Sequence, residues 1–314
     1  MNQPKVVAIE EHFQTPELNA TFRDFDAMPV PKWQERLFDL GELRLREMDE
    51  AGIDMQVVSH VAPGTQKLDP EAAVRLARQA NDRLHQLILA YPGRFAGYAE
   101  LPTPNPEAAA DELERTVTTY GFKGAMINGL THGMFMDERR FWVIFERAHE
   151  LGVPIYIHPS TPHFAVIEAH YKDYPVLARA GWGFGVEAAT HAVRLILSGL
   201  FDAYPKLKII LGHLGESLPF WLWRCDRVLS RDAGINRQFR EYFREHFVVT
   251  TSGHFSHSAL LCCLLEVGAD NILFAVDWPM QSNIEARKFI ASAPISDADK
   301  NKILGHNAKR ILKL

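Results

Sequence analysis

Glu10, His12, His158 and Asp277 each stand at or just beyond the end of a short run of apolar residues in this sequence. Together they offer two imidazoles and two carboxylates, a mixed donor set that suits a borderline or hard divalent cation such as Zn²⁺ or Mn²⁺. A site of this kind leaves coordination positions for water or substrate. Because buried carboxylates are costly without a compensating cation or donor, the four residues predict one divalent metal ion per chain.

The apolar runs are predicted to be the parallel strands of an α/β fold. Short β-rich runs alternate with helix-patterned stretches from end to end, which indicates repeated βαβ units. Eight such runs can be counted: Val6 to Ile9, Met55 to Val58, Phe95 to Tyr98, Gly124 to Ile127, Pro154 to Ile157, Lys208 to Leu211, Val248 to Thr251 and Ile272 to Val276. We therefore predict a single (β/α)8 TIM-like barrel domain over residues 1–314, whose active site lies at the carboxyl ends of the strands.

Helix-patterned stretches separate the runs. They are Gly41 to Glu50, Pro70 to Tyr91, Pro106 to Tyr120, Arg139 to Leu151, Val186 to Tyr204 and Ser256 to Val267, with Asp297 to Leu314 as a C-terminal helix. Two βα loops, Gln14 to Asp39 and Ser160 to Gly185, are longer than usual, and such loops in compact domains tend to be functional. Both loops follow strands that end in candidate metal ligands.

Side chains alternate across a strand, so Glu10 and His12 are expected to share one face while Glu11 points to the other. Polar residues end other predicted strands as well. A lone histidine in that position is more often a hydrogen-bonded structural residue than a ligand, so we expect His60 to be a satisfied core histidine. Glu100 is expected to form local hydrogen bonds, and Trp221 and Trp223 to pack within a helix.

Composition excludes several classes of protein. The chain has 314 residues, 47% hydrophobic and 23% charged, as in an ordinary globular protein. A formal charge of −5 without a basic stripe argues against a nucleic-acid partner. No signal peptide or run of membrane-spanning length is visible, and the three cysteines form no disulfide or zinc pattern, so a cytoplasmic location without membrane contact is expected.

Four motifs of the chain resemble the amidohydrolase superfamily: Glu10-Glu11-His12-Phe13, His158-Pro159, Gly212-His213-Leu214-Gly215-Glu216 and Asp277-Trp278-Pro279. The likeness spans nearly the whole chain and is strongest to the branch related to aminocarboxymuconate-semialdehyde decarboxylase, especially γ-resorcylate and 2,3-dihydroxybenzoate decarboxylases. Superfamily hydrolases often carry a His-x-His pair and a metal-bridging lysine on the fourth strand. Here the corresponding residues are Glu10-x-His12 and Asn128, which favours one metal ion over two.

The resemblance implies roles for individual residues. Glu10, His12, His158 and Asp277 would ligate the metal, and Asp277 would also act in catalysis beside the neighbouring pair His213 and Glu216. Four residues would contact the substrate: Phe22, Asn128, Trp182 and Arg224. The family likeness and the aromatic stretch 220–223 beside Arg224 further predict a homodimer or homotetramer, with Arg224 near a subunit boundary.

The resulting prediction is a metal-dependent, non-oxidative decarboxylase of a small hydroxylated aromatic acid of the ortho-hydroxybenzoate type. Asp277 would protonate the ring carbon as carbon dioxide leaves. The main alternative is a metal-dependent hydrolase of an ester, lactone or amide, in which the metal lowers the pKa of bound water. A non-catalytic metal-binding or small-molecule-binding protein is a further alternative.

Overall fold

Nine short parallel strands lie in chain order in the computed structural model, which describes residues 5–23, 26 and 31–314. They are β1 (Val7–Phe13), β2 (Met55–His60), β3 (Phe95–Gly97), β4 (Ala99–Glu100), β5 (Ala125–Asn128), β6 (Ile155–His158), β7 (Ile209–Leu211), β8 (Phe247–Thr250) and β9 (Ile272–Leu273). All eight predicted runs are confirmed, the third one interrupted at Tyr98. Part of the predicted loop Gln14 to Asp39 lies outside the described residues.

Backbone hydrogen bonds close these strands into a barrel. Strands β1 to β3 pair with one another, as do β4 to β9. The Tyr98 N–H donates to the Val58 carbonyl at 2.9 Å and so joins the two sheets. At the other seam, the Asp277 N–H donates to the Glu10 carbonyl, also at 2.9 Å. The predicted (β/α)8 barrel is therefore confirmed.

Helices surround the barrel. They are α1 (Pro16–Asn19), α2 (Pro31–Phe38), α3 (Glu42–Ala51), α4 (Pro70–Ala90), α5 (Pro106–Tyr120), α6 (Trp142–Leu151), α7 (Phe164–Val166), α8 (Gly183–Leu197), α9 (Leu200–Ala203), α10 (His213–Glu216), α11 (Leu218–Asp232), α12 (Phe239–His246), α13 (His257–Val267), α14 (Asn283–Ser292), α15 (Asp297–Asn301) and α16 (Asn307–Leu312). None of the described helices is long and apolar enough to cross a membrane.

Most predicted helices form within a few residues of the expected bounds. Asp69 and Asn105 cap α4 and α5 by accepting hydrogen bonds from backbone N–H groups of the first turn. The predicted helix Val186 to Tyr204 is wrong as one element, because the chain adopts a left-handed conformation at Gly199 and begins α9 there. Helices α12 and α14 were not predicted, and of α11 only the part around Trp221 and Trp223 was expected to be helical.

The core has two layers, as strand alternation requires. Met126 and Tyr156 point into the barrel, whereas Ile127 and Ile157 point outward against the helices. The same alternation directs the last residues of β5 and β6, Asn128 and His158, toward the barrel axis. These two residues are register partners and lie side by side at the carboxyl end of the sheet, which we call the rim.

Glu11 lies on the outer face of β1, as predicted. It forms hydrogen bonds across the seam, where the first strand meets the end of the last one. Its Oε1 accepts a hydrogen bond from the Val276 N–H at 2.9 Å, and its Oε2 accepts one from the Trp278 N–H at 3.3 Å. Fully buried Arg44 lies 4.0 Å from the Trp278 ring and donates to the His12 carbonyl. Burial raises the pKa of Glu11 well above its usual value, and the hydrogen bond from Val276 and the nearby charge of Arg44 oppose this in part.

We expect Glu11→Gln to lower the free energy of unfolding by about 3 kcal/mol. The amide has one acceptor oxygen for two backbone donors, and it removes one of the three carboxylates, with those of Asp39 and Glu47, that act on the buried Arg44 cation. Urea denaturation followed by circular dichroism measures the change. The exposed Glu150→Gln is the matched control and should shift stability by less than about 0.5 kcal/mol. Equal stability of the two variants would contradict this role for Glu11.

Candidate metal centre and catalytic site

Glu10, His12, His158 and Asp277 converge at the rim. One ligand atom from each can be chosen so that all four lie within 4.8 Å of one another. His12 Nε2 lies 3.3 Å from Asp277 Oδ1, and His158 Nε2 lies 3.3 Å from Glu10 Oε1. The barrel thus brings together residues from three distant parts of the sequence, at the first, sixth and last strand positions.

Two of these atoms lack hydrogen-bond partners although they are buried. Among the described residues, neither Glu10 Oε1 nor His12 Nε2 has one. Nearly all buried polar atoms in folded proteins are satisfied, so unsatisfied atoms aimed at a common point call for an additional group. A divalent cation fits this need, since it accepts electron pairs from both carboxylate oxygen and imidazole nitrogen.

Other side chains fix the orientation of these residues. The Tyr156 hydroxyl donates a hydrogen bond to Glu10 Oε2, and the Thr250 hydroxyl donates to the same oxygen at 3.2 Å. Ser59 Oγ lies 3.3 Å from His12 Nδ1. Such contacts hold ligands in place for a metal and leave the other atom of each group free. Sequence reasoning missed Tyr156, although it lies two residues before His158 and therefore on the same face of the strand.

A tight turn after β7 presents His213 beside Glu216. His213 Nδ1 lies 2.6 Å from Glu216 Oε1, while its Nε2 faces Asp277 Oδ2 at 3.9 Å. The backbone is left-handed at His213 (φ 49°) and at Asp277 (φ 76°), an uncommon conformation for residues other than glycine. Residues held in such conformations cluster at functional sites.

The charges of the site favour a proton on His213. Burial lowers the pKa of His213, but the carboxylates of Glu216 and Glu10 together raise it well above its usual value. Burial raises the pKa of Asp277, but its contacts with His12 and His213 bring it well below the usual value. In the absence of a bound cation, Asp277 is therefore ionised and His213 carries the proton.

A cavity of about 700 Å³ opens beside Asp277 and His213, a size that suits a small-molecule ligand. Trp182, Glu216 and Trp221 contribute to its wall. Trp182 is largely exposed at the edge of the cavity.

The other three predicted substrate contacts, Asn128, Phe22 and Arg224, differ in burial and position. Asn128 is buried at the rim beside His158, and its Oδ1 has no partner among the described residues. Phe22 is buried with its ring 6.3 Å from that of His60. Arg224 is exposed on α11 and does not line the cavity of its own chain.

Two polar strand ends have structural partners, as expected. His60 Nε2 accepts a hydrogen bond from the Thr15 N–H, and His60 Nδ1 lies 2.9 Å from the Val61 carbonyl. Burial lowers the pKa of His60 to about 4, which keeps the ring neutral. Glu100 accepts hydrogen bonds from the backbone and the hydroxyl group of Thr65. The buried Glu187, which the sequence did not single out, has two unpartnered oxygens among the described residues.

Comparison with known proteins gives full-length matches. Residues 11–314 match the amidohydrolase family. The chain is 41% identical to γ-resorcylate decarboxylase from a Polaromonas species, covering 98% of each chain. The crystal structure of dihydroxybenzoic acid decarboxylase from Polaromonas, with bound manganese and the inhibitor 2-nitroresorcinol, is 40% identical, with a TM-score of 0.92 over 100% of this chain and 98% of that one.

A second solved structure has a similar fold at lower sequence identity. The 5-carboxyvanillate decarboxylase from Novosphingobium aromaticivorans, complexed with manganese and 4-hydroxy-3-methoxy-5-nitrobenzoic acid, is 33% identical, with a TM-score of 0.93. The match covers 98% of this chain and 96% of that one. The predicted resemblance to aromatic acid decarboxylases of this superfamily is thus confirmed.

We expect His158→Ala to lower the content of bound divalent metal from about one ion per chain, because one of four ligand atoms is removed from an open site. Inductively coupled plasma mass spectrometry after dialysis measures the content. The exposed His170→Ala is the matched control and should keep its metal. Far-UV circular dichroism should match the unmutated protein in both variants. Full metal occupancy in His158→Ala would remove this residue from the ligand set.

Proposed function

The chain belongs to the amidohydrolase family, and from that premise we propose that it is a metal-dependent, non-oxidative decarboxylase of a hydroxylated aromatic acid of the ortho-hydroxybenzoate type. The observation that carries this proposal is the cluster of four candidate ligands. One of them, Asp277, is a partly exposed carboxylate that borders the cavity. Relatives with this activity match nearly the full length of the chain.

We propose Glu10, His12, His158 and Asp277 as the ligands of one divalent ion. Zinc and manganese both suit this donor set, and manganese is bound in the two similar structures described above. When bound, such an ion supplies Lewis-acid polarisation and a fixed orientation for a carboxylate and an adjacent phenolate oxygen. The unsatisfied atoms of Glu10 and His12 support this assignment.

The residues around the cavity then bind and orient the substrate. His213, protonated and held by Glu216, offers an N–H to an anionic oxygen of the substrate. We propose that Phe22, Asn128 and Trp182 border the ring. Arg224 is exposed and does not line the cavity of its own chain, so we propose that it contacts the substrate of an adjacent subunit.

Asp277 is the proposed proton donor to the ring. The bond from the ring carbon to the carboxylate breaks, carbon dioxide leaves, and a proton must arrive at that carbon because an aryl anion is too unstable to persist. His213 Nε2 lies 3.9 Å from Asp277 Oδ2, and we propose that His213 either hydrogen-bonds the substrate carboxylate or assists the delivery of this proton.

A hydrolase acting on an ester, lactone or amide is the competing function. It would use the same four ligands, with Asp277 as the general base toward water. Asn128 occupies the end of β5, where a bridging lysine would be needed for a two-metal site, and this favours the decarboxylase.

The test compares the two reactions directly. Metal-loaded protein is offered a panel of mono- and dihydroxybenzoates, with carbon dioxide release as the readout, beside a panel of aryl esters, lactones and anilides. We expect carbon dioxide from at least one hydroxybenzoate. Cleavage of an ester, lactone or amide without any decarboxylation would replace the lyase with the hydrolase.

We further propose that residues 1–314 form one domain and that the protein is cytoplasmic. The family match from residue 11 to residue 314 supports the first proposal. The cysteines at positions 225, 262 and 263 are all free, as in a reducing compartment, which supports the second.

We propose that the protein assembles as a homodimer or homotetramer through an exposed apolar surface. Trp221 and Trp223 lie on a helix, as expected, but the expectation that they pack there is wrong: they are 50% and 61% exposed, because α11 buries Leu222 instead. Phe220, Trp221, Leu261 and Leu265, here called the apolar patch, line one surface groove. Phe220 and Leu265 are 78% and 83% exposed, and contiguous exposure of this kind marks an interaction surface. Arg224 follows on the same helix and would lie near the boundary.

We expect Asp277→Asn to lower kcat by a factor of about 10² to 10⁴, because the amide cannot deliver the proton. Metal content must be measured in the same variant, since loss of a ligand would add to the effect. In heavy water, the unmutated enzyme should place one deuterium on the carbon that lost the carboxylate. Mass spectrometry and NMR of the product measure it. A variant with full metal content and unmutated activity would exclude Asp277 as the donor.

Sedimentation equilibrium at micromolar concentration should show a dimer or tetramer of the 35.6 kDa chain. Phe220→Lys in the apolar patch should weaken association at least about tenfold, because a charge would be buried at the interface. Leu89→Lys, at a similarly exposed leucine on α4, is the matched control and should leave association unchanged. A lone monomer of the unmutated chain would contradict the assembly.

A further inference from the structure

The turn that begins with His213 has an unusual backbone conformation. All five residues from 213 to 217 have φ between 49° and 77°, and only Gly215 among them is a glycine. Residues with a side chain rarely adopt this left-handed region, and usually do so singly. Such a conformation persists only where the surrounding structure holds it. The contacts made by this turn therefore decide where the His213 ring lies.

A second turn, formed by residues 252–254 and here called the β8 turn, contacts the backbone of His213 on both sides. The His213 N–H donates a hydrogen bond to Ser252 Oγ at 3.2 Å. His254 Nδ1 lies 3.3 Å from the His213 carbonyl oxygen. Because a carbonyl oxygen only accepts, His254 Nδ1 carries the hydrogen and donates it. Both polar backbone groups of His213 are thus held by side chains of the β8 turn.

The middle of the β8 turn packs against the side chains of His213 and Asp277. A β-carbon at position 253 would lie 3.0 Å from His213 Cδ2 and 3.0 Å from Asp277 Oδ2. Gly253 has φ +58°, so glycine suits this position on conformational grounds as well. The β8 turn therefore fixes the His213 backbone and also leaves the room in which its ring faces Asp277.

His254 is the member of the β8 turn whose side chain can be changed without disturbing the core. It is exposed and lines the cavity together with His213 and Asp277. The next carbonyl of the strained turn, that of Leu214, is held from inside the protein, where it accepts from the buried Cys263 thiol at 3.3 Å. The contact of His254 with His213 is thus the outer support of the strained turn.

We propose that His254 is a positioning residue, whose Nδ1 hydrogen bond to the His213 carbonyl holds the strained turn and so keeps the His213 ring beside Asp277. The inference rests on the proposed function, in which His213 hydrogen-bonds the substrate carboxylate or assists proton delivery. A group that must meet a reacting centre tolerates little misplacement, since a shift of about 1 Å costs about a hundredfold in rate. His254 acts through His213 and forms no bond to the substrate.

Three substitutions of His254 separate its two ring nitrogens. Asparagine has its Nδ2 as many bonds from the backbone as His Nδ1, so His254→Asn keeps the donor to the His213 carbonyl. Glutamine Nε2 corresponds to His Nε2, so His254→Gln loses that donor, and His254→Leu loses both nitrogens. His257→Leu is the matched control, because His257 Nε2 likewise lies 3.1 Å from a backbone carbonyl, that of Phe289, and His257 does not line the cavity.

We expect kcat/KM of the metal-loaded enzyme for its best hydroxybenzoate to fall about tenfold or more in His254→Gln and His254→Leu. It should stay within about threefold in His254→Asn and in the control. The opposite order, with His254→Gln active and His254→Asn impaired, would overturn the proposal, because Nε2 would then act on the substrate directly. Equal kcat/KM in all variants, with or without a lower unfolding temperature, would also overturn it.

Gly253→Ala tests the packing of the same turn. Gly52→Ala is its matched control, because Gly52 has φ +66° and a β-carbon there meets no atom within 4 Å. Both variants carry similar backbone strain, so we expect kcat/KM per bound metal ion to be at least about tenfold lower in Gly253→Ala. Equal values would overturn a positioning role for the β8 turn.

Hydrogen exchange separates the failure of this inference from that of the proposed function. Mass spectrometry should show faster amide exchange over residues 212–217 in His254→Gln and His254→Leu than in His254→Asn and the unmutated protein. If the unmutated enzyme decarboxylates no hydroxybenzoate, the proposed function fails on its own, and this exchange pattern still supports the support of His213 by His254. Equal exchange in all variants would overturn it.

Discussion

Backbone N–H groups on both sides of Asp277 donate hydrogen bonds to the buried carboxylate of Glu11. Glu11 itself lies between Glu10 and His12, so a single side chain sets the distance between the candidate ligands of the first strand and the last one. Arg44 completes this seam by balancing the charge and covering the Trp278 ring. A barrel that closed one residue out of register would turn all these ligands away from the axis. The geometry of the candidate metal centre therefore depends on how the first and last strands meet as well as on the ligands themselves.

The site conflicts with the usual rules for a stable interior. Buried oxygen and nitrogen atoms are left without partners at Glu10, His12 and Glu187 among the described residues. His213 and Asp277 adopt left-handed backbone conformations. Each departure costs stability, and at Glu10 and His12 a cation in the proposed site would satisfy the unpartnered atoms. The ring nitrogens of His60, at the end of β2, both have hydrogen-bond partners, so a polar residue at a strand end need not make such a departure.

Sequence reasoning reached the barrel and the convergence of ligands because both follow from local rules. Alternation along a strand separates Glu11 from Glu10 and His12, and the carboxyl ends of parallel strands meet at one rim. The contact of Tyr156 with Glu10 depends on how strands distant in sequence are staggered around the barrel, which no local pattern encodes. Trp221 was misjudged because an aromatic residue is usually buried. Glu187 resembles any solvated helix acid until its burial on α8 is known.

The left-handed backbone conformation of Asp277 limits which amino acids can replace it during evolution. Aspartate, asparagine and glycine tolerate that conformation far better than longer or β-branched residues, so few replacements at position 277 keep the loop in shape. Selection for new substrates, natural or in the laboratory, would therefore favour changes at positions other than the proposed proton donor. The mutable positions are those of the cavity wall after β6 and along α8, where side chains can be exchanged without disturbing the barrel seam.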